Sequence, residues 1–380
     1  MDARSLLLLL PLAVSAQVAT DARFEGRPAI RLSNEQVNLT VLPLGGAFVE
    51  LTLAGDPEKL SPLWNPVRYP RGGQPHRGFS LGHFVCVDGF GPVSPEEQKA
   101  GLTGHGEAHA LPWKLDSSGK RGKESWITQS VELPILRENY SRTVRLVDGE
   151  NVVAVESTLE NLLGFDRPVV WAEHATIGKP FLAPEVTVVD QSAGPSQTRP
   201  YRARPGALPH RLPSGMDFTW PFAPTADGGR VDLRAVPNPP NSGDHTTTLM
   251  DPTRPHAFVT ALHLEKRLLL GYVFRREEFP WLQIWEFYPP DGNLARGLEF
   301  STQPYDVSRR DAISTGSLFG APTYRWLPAK SKISSRFLMF YTRVPEGFRG
   351  VDDIRLEGGK LIIEDRRSGR KIELASSVGL

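Results

Sequence analysis

A short stretch late in the chain, RGLEFSTQPYD, combines one carboxylate with polar neighbours in the pattern of a strand that ends at a turn. Side chains alternate between the two faces of a strand, so Glu299, Ser301 and Gln303 are predicted to share one face. Pro304 and Asp306 mark the turn that follows. One acid beside two hydrogen-bonding side chains suits general acid–base chemistry, and the alternative interpretation is a solvated strand face.

Two further stretches place histidines in strand-like sequence, HGEAHALPW at residues 105–113 and WAEHATIGKPF at residues 171–181. In the first, His105, Glu107 and His109 are predicted to share one face of an extended chain. Two imidazoles with a carboxylate are a common ligand set for zinc or iron. The helical zinc motif HExxH is absent, however, and ligands two residues apart on a strand are a weak signal, so no metal and no other cofactor is predicted.

The histidines differ in what surrounds them in sequence. His109 is interpreted as a core histidine that a hydrogen bond satisfies. Gly106 directly follows His105 and suits close approach of a ligand to the backbone. His174 lies in PVVWAEHAT, a predicted strand on which alternate residues share its face.

These residues need rigid elements to position them, and the hydrophobic periodicity predicts strands along most of the chain. The most persistent alternation runs through SWITQSVEL, RTVRLVD and NVVAVESTLEN, with Asp148-Gly149 as a hairpin signal. Residues 193–242 are rich in Pro, Gly and Arg and are predicted to form a loop insertion, because strand patterns resume on both sides. Together these patterns predict an all-β fold, a large antiparallel β-sandwich that forms one domain over residues 17–380.

The amino terminus, MDARSLLLLLPLAVSAQVA, has the pattern of a secretory signal peptide. Arg4 supplies the positive flank, and Val14-Ser15-Ala16 resembles a cleavage site, so residues 1–16 are predicted to be removed from a secreted or periplasmic protein. The apolar run is too short for a membrane span, which needs about 20 residues. Cys86 is the single cysteine, so the chain forms no internal disulfide.

The charge balance of the chain argues against two classes of partner. It carries 44 basic and 43 acidic residues, a formal net charge of +1. Such a balance gives no electrostatic reason to expect nucleic acid, or a membrane once the signal is removed.

Four stretches together resemble the aldose 1-epimerases and hexose-6-phosphate 1-epimerases, the galactose mutarotase-like group. HGEAHALPW resembles the His-Gly segment of that group, WAEHATIGKPF its second histidine strand and GLEFSTQPYD its glutamate segment. WLPAKSKISSRFLMFY resembles the closing strand. The likeness spans roughly residues 34–342 and implies the large β-sandwich of that group, its supersandwich.

The resemblance implies His174 as general acid, Glu299 as general base and His105 as a substrate-binding histidine. The implied reaction interconverts sugar anomers, because a proton leaves the C1 hydroxyl while another reaches the ring oxygen and the ring opens. A carboxylate and an imidazole on opposite sides of the ring would do this without metal or nucleotide, each contributing roughly 10²–10⁴-fold.

Other side chains are predicted to hold the sugar, which is expected to be a free sugar or an oligosaccharide. Trp113 and Trp285 offer apolar faces on which a ring could stack, although a plain core position is the alternative for each. Arg71 and Arg77 lie in a Pro/Gly-rich stretch and could bind hydroxyls or an acidic group. Gln303, two residues from Ser301 on the predicted face of Glu299, is the fifth candidate.

Two other functions fit the same residues. A non-catalytic carbohydrate-binding protein could use the same sandwich, because a fold does not fix a function. A glycosidase or lyase would need a second acid flanking the bond, for which Glu107, Glu173, Glu286 and Asp306 are candidates.

Overall fold

The computed structural model describes residues 16–70, 74–201 and 206–380, and these residues form two large antiparallel sheets with a shared core. The predicted all-β sandwich is therefore confirmed. Arg71 lies outside the described residues, as does the predicted signal peptide apart from Ala16. Within the described ranges no helix is long and apolar enough to cross a membrane.

The larger sheet holds thirteen of the strands in the described ranges, and its central strands carry the chemistry discussed below. In spatial order they are β1 (Gln17–Phe24), β2 (Arg27–Ser33), β3 (Val37–Val41), β4 (Phe48–Leu53), β5 (His83–Val87), β11 (Trp171–Gly178), β21 (Ala295–Ser301), β20 (Trp281–Phe287), β17 (His245–Met250), β13 (Ala193–Thr198), β14 (Asp217–Thr219), β15 (Phe222–Pro224) and β16 (Arg230–Asp232).

The second sheet faces the first and holds eight strands of the described residues. In spatial order they are β12 (Thr187–Gln191), β18 (His256–His263), β19 (Leu268–Arg275), β25 (Lys332–Arg343), β9 (Val152–Asn161), β8 (Glu138–Val147), β7 (Glu124–Leu133) and β6 (Lys114–Arg121).

Smaller elements complete the described fold. They are the strand pairs β10 (Arg167–Val169) with β24 (Arg325–Leu327) and β22 (Ser317–Leu318) with β23 (Ala321–Pro322), the carboxy-terminal sheet β26 (Val351–Glu357), β27 (Lys360–Asp365) and β28 (Lys371–Ala375), the helices α1 (Pro95–Lys99) and α2 (Arg309–Thr315), and the 3-10 helix Ala108–Ala110. Ser94 and Glu97 form a capping box at the start of α1.

Alternation of side chains along β11 separates the core from the face that matters for chemistry. Trp171, Ala175 and Ile177 belong to the core between the two sheets. Ala172 belongs instead to a smaller cluster with Phe84 on the opposite face of the larger sheet, which we call the outer face. Residues of β11 with even numbers therefore lie on the outer face.

The core between the sheets also contains a buried charge network. Glu173 is fully buried, and its carboxylate accepts hydrogen bonds from Arg142 (2.6 Å) and from the Trp171 indole (3.2 Å). The carboxylate also lies 2.9 Å from His83 Nε2. Because breaking such a pair leaves an unpaired buried charge, the network fixes β11 against the second sheet. Glu173 faces this core, away from the outer face.

The structure differs from the sequence-based predictions in one segment and in one helix that they do not include. Residues 193–242 do not form a plain loop, because β13 to β16 within them extend the larger sheet at its edge. Strands of three residues interrupted by Pro and Gly give little periodicity, which explains the error. The short helix α2 was not predicted, although Ser308 caps it by accepting a hydrogen bond from the backbone N–H of Asp311.

Candidate active site

A row of side chains crosses the outer face at the centre of the larger sheet. In the strand register Phe84 lies opposite His174, His174 opposite Glu299, Glu299 opposite Gln283, and Gln283 opposite Thr247. Directly opposed residues on neighbouring antiparallel strands point to the same face with Cβ atoms about 5 Å apart. The register thus brings together two residues, His174 and Glu299, that are 125 positions apart in sequence.

A cavity of about 370 Å³ opens above this row. Its lining combines aromatic rings, four histidines and two carboxylates: Trp64, His76, Ser80, Phe84, Phe90, His105, His174, His245, Trp285, Glu299 and Asp306. Apolar walls with a few convergent polar groups are typical of a small-molecule site.

His174 and Glu299 are in direct contact in the cavity wall. His174 Nε2 lies 3.1 Å from Glu299 Oε1, and its Nδ1 lies 3.0 Å from the hydroxyl of Thr176. The imidazole stacks on Phe84, with ring centroids 4.3 Å apart. Glu299 Oε1 is itself buried, and apart from this contact with His174 it has no hydrogen-bond partner of good geometry among the described residues.

Gly297 makes room for the Glu299 carboxylate. The two residues lie on the same face of β21, and a Cβ added at Gly297 would lie 2.1 Å from Glu299 Oε1 and 2.7 Å from its carboxyl carbon. Any side chain at this position would therefore displace the carboxylate. Gly297 is a positioning residue of the site.

Burial keeps the His174–Glu299 pair electrically neutral. It raises the pKa of Glu299 well above its usual 4.5; the charge of Asp306 adds to this rise and that of Arg199 opposes it. Burial also lowers the pKa of His174 well below 6.5, with a smaller contribution from His105. The pair thus shares one mobile proton, and burial favours its position on the carboxyl group.

His105 approaches the pair from the connection between β5 and β6. Its backbone is left-handed (φ 69°), and its ring centroid lies 5.3 Å from that of His174. Burial lowers its pKa to about 4, with a further contribution from His109, so the imidazole is neutral near pH 7. A neutral imidazole has one donor and one acceptor nitrogen, which suits contact with hydroxyl groups.

The predicted extended chain at residues 105–109 is wrong, because this segment contains a turn and the 3-10 helix Ala108–Ala110. Glu107 consequently points away from His105, and its carboxylate accepts hydrogen bonds from the backbone N–H groups of Ile135 (3.2 Å) and Leu136 (3.0 Å). The described residues contain no cluster of three or more His, Cys, Asp or Glu side chains placed to bind a metal. His109 is buried as predicted, but its Nδ1 has no hydrogen-bond partner among the described residues.

The predicted sugar-binding residues fall in different places. Trp285 lines the cavity. Trp113 lies in the core between the sheets, where its indole N–H donates to the Ala108 carbonyl (2.8 Å), and it is not among the lining residues. Arg77 is exposed and is likewise not a lining residue.

Gln303 lies beneath the cavity wall rather than in it. The strand ends at Ser301, so the alternation predicted through Gln303 is interrupted. The fully buried amide of Gln303 donates to backbone carbonyls of the following loop, including that of Tyr305. Its structural effect is to hold the loop that carries Asp306.

Two further residues line the cavity: His245, to which no role is assigned from sequence, and Asp306, which is named from sequence as a candidate second acid. His245 begins β17 and lies opposite Trp285 in the register. Asp306 lies 3.4 Å from His245 Nδ1 and 2.6 Å from the Arg199 guanidinium. Of the four candidate second acids, Asp306 is the one that shares the cavity with Glu299. The available signal for His245 was a histidine at the head of the threonine-rich run HTTTLM.

Comparisons of sequence found no match, neither to a family model nor to a curated protein. Comparisons of structure found many. A "putative aldose 1-epimerase" from Klebsiella pneumoniae superposes with a TM-score of 0.62 at 13% identity, over 86% of this chain and 83% of the other. A galactose mutarotase-like protein from Clostridium acetobutylicum gives a TM-score of 0.61 at 13% identity, over 87% and 99%.

A galactose mutarotase related enzyme from Lactobacillus acidophilus gives a TM-score of 0.56 at 11% identity, over 84% of this chain and 99% of the other. At such identities the likeness establishes the architecture and leaves the reaction to the site itself. The chain has the fold of the galactose mutarotase-like proteins.

Proposed function

We propose that this protein is an aldose 1-epimerase-like isomerase that interconverts the anomers of a sugar, with His174 and Glu299 as its acid–base pair. The observation that carries the proposal is the direct contact of these two side chains, 3.1 Å apart, in the wall of a cavity on the outer face. A fold shared with mutarotase-like proteins supports it.

The side-by-side arrangement suits the two oxygens that react. O1 and the ring oxygen O5 are bonded to the same carbon, so neighbouring acid and base groups reach both from one side of the sugar. The carboxylate and the imidazole are expected from sequence on opposite sides of the sugar ring; in this proposal the two groups act together from one side.

The proton movements balance over one turnover. Before ring opening, the shared proton moves from Glu299 to His174, which gives a carboxylate beside an imidazolium. The Glu299 carboxylate then takes the O1 proton as the C1=O bond forms, the C1–O5 bond breaks, and O5 receives the proton of the His174 imidazolium. Rotation about C1–C2 exchanges the faces of the aldehyde, and the reverse transfers close the ring. The opened state leaves the proton on Glu299, so ring opening returns the pair to the neutral tautomer that burial favours.

The remaining walls suit a sugar without a metal ion. Trp64 and Trp285 line the cavity with aromatic faces on which the C–H surface of a pyranose can stack. Neutral His105 is placed to exchange hydrogen bonds with hydroxyl groups.

Polarimetry or NMR on freshly dissolved α-glucose and α-galactose tests the proposal. The protein is expected to accelerate anomeric equilibration above the buffer rate in proportion to its concentration. Sugar binding without acceleration would identify a non-catalytic carbohydrate-binding protein instead.

A hydrolase is the second candidate, because Asp306 gives the cavity a second acid beside Glu299. Release of new reducing ends from a polysaccharide, with loss of that activity in Asp306→Asn, would favour it over the isomerase.

A further inference from the structure

A second cavity adjoins the first on the outer face. It encloses about 400 Å³, close to the size of its neighbour. The two cavities share three lining residues, His245, Trp285 and Asp306, which form the boundary between them.

The strand register sets the spacing between the boundary and the acid–base pair. Glu299 on β21 lies opposite Gln283 on the neighbouring strand β20. Trp285 lies two residues beyond Gln283 on β20 and opposite His245 on β17. Strands are about 4.8 Å apart and rise about 3.4 Å per residue, so the Cα atoms of Glu299 and Trp285 are roughly 8 Å apart. That offset is on the scale of one sugar ring, measured from its anomeric centre to its far edge.

The second cavity has the chemistry of a carbohydrate site. Phe287 extends the aromatic surface of Trp285, with ring centroids 5.9 Å apart and planes inclined by 23°. On the other wall Tyr201 stacks on His210, with centroids 3.8 Å apart. Aromatic surfaces joined to polar groups of fixed geometry are the usual means of binding a sugar ring.

The charged groups described in this cavity are compensated by one another. Arg211 bonds Asp244 (2.8 Å) and also Glu286. The Arg296 guanidinium lies 3.5 Å from Glu286, and Arg199 pairs with Asp306 (2.6 Å), so three guanidinium groups face three carboxylates. These pairs offer fixed hydrogen-bonding groups without a net charge. Such a lining favours a neutral sugar unit over a uronate or a sugar phosphate.

We propose that the second cavity is a subsite for a second sugar unit, so that the preferred substrate is a neutral reducing disaccharide or longer oligosaccharide. The inference rests on the proposed function: the reducing-end unit occupies the first cavity with its C1 at His174 and Glu299. The next unit lies beyond Trp285 against Phe287.

The test compares anomerisation of maltose, cellobiose and lactose with that of glucose and galactose, using the full chain. At least one disaccharide is expected to have the highest kcat/KM of the panel, and a disaccharide whose non-reducing unit is a uronate is expected to be poorer than the neutral disaccharides. Phe287→Leu keeps the apolar volume but removes the aromatic face. It is expected to lower the ratio of disaccharide to monosaccharide kcat/KM by about tenfold.

Each outcome decides the matter. Equal or lower kcat/KM for every disaccharide, or an equal loss for both substrate classes in Phe287→Leu, would overturn the subsite. If no sugar is anomerised, the proposed function fails, and calorimetry with the same sugars tests the subsite by itself. Tighter binding of a disaccharide than of glucose, weakened in Phe287→Leu, would then support it, and equal binding would overturn it.

Discussion

Gly297→Ala tests how the site is built, because the change adds one methyl group directly beside the Glu299 carboxylate. The added Cβ would lie 2.1 Å from Glu299 Oε1, whereas ordinary contacts of a Cβ begin near 3.4 Å. The carboxylate must therefore move by about 1 Å or more. Misplacement of a catalytic group on this scale costs about 10²-fold in rate.

We expect Gly297→Ala to lower kcat for anomerisation by about 10²-fold, with a smaller change in KM, because the three atoms nearest to the added Cβ all belong to Glu299. Stability should fall by only about 1–3 kcal/mol, as for other small-to-large changes in packed regions. Polarimetry gives the rate, and thermal unfolding by circular dichroism shows that the variant is folded.

Gly164→Ala is the matched control. Nothing lies within 4 Å of a Cβ added at Gly164, so its rate should equal that of the parent chain. A second check uses Glu299→Gln: if Gly297 acts through the carboxylate, the double variant should be no slower than Glu299→Gln alone. A folded Gly297→Ala protein with kcat within twofold of the parent would refute the reasoning.

Three further changes probe the surroundings of the site. Burial lowers the pKa of His105 from an ordinary 6.5 to about 4 in the folded state, so the unfolded state binds more protons between these values and stability falls as the pH falls from about 6.5 to 4. His105→Gln should remove about 3 kcal/mol of that loss, measured by urea titration at several pH values. An unchanged pH dependence would contradict this. Glu173→Gln should destabilise by about 3–5 kcal/mol because it leaves Arg142 buried beside an uncharged partner, and a loss below 1 kcal/mol would argue against the network. Trp113→Phe should lower the melting temperature through the lost bond to Ala108 while sugar affinity in calorimetry stays the same; weakened affinity would return Trp113 to the binding site.

The strands were predictable where one face of the chain is buried and the other is polar. β7, β8 and β9 alternate almost without interruption, so their period of two is visible in sequence. β21 was harder to interpret, because all seven of its residues are buried, and Glu299 on its outer face lines a cavity rather than facing open solvent.

The periodicity of a sequence does not predict which residues of two distant strands lie opposite each other. Alternation indicates which residues of β11 and β21 share a face, but the register that sets His174 opposite Glu299 depends on contacts between whole strands. The resemblance to mutarotase-like sequences, and not the spacing, named this pair in advance.

Residue type alone does not show whether a tryptophan lines the cavity or packs in the core between the sheets. Trp113 and Trp285 are each followed by a charged residue, yet Trp113 is packed between the sheets and Trp285 lines both cavities. Only the three-dimensional position of each strand distinguishes them.

The central claim is that one mobile proton passes between a bound sugar and the His174–Glu299 pair. The most direct measurement is kcat for anomerisation in His174→Asn, Glu299→Gln and the double variant, with the exposed Glu277→Gln and the half-buried His256→Gln as controls. Each single variant is predicted to lose about 10²–10⁴-fold, the double variant to lose little more, and the controls to match the parent. Folded single variants that keep the parent rate would contradict the account.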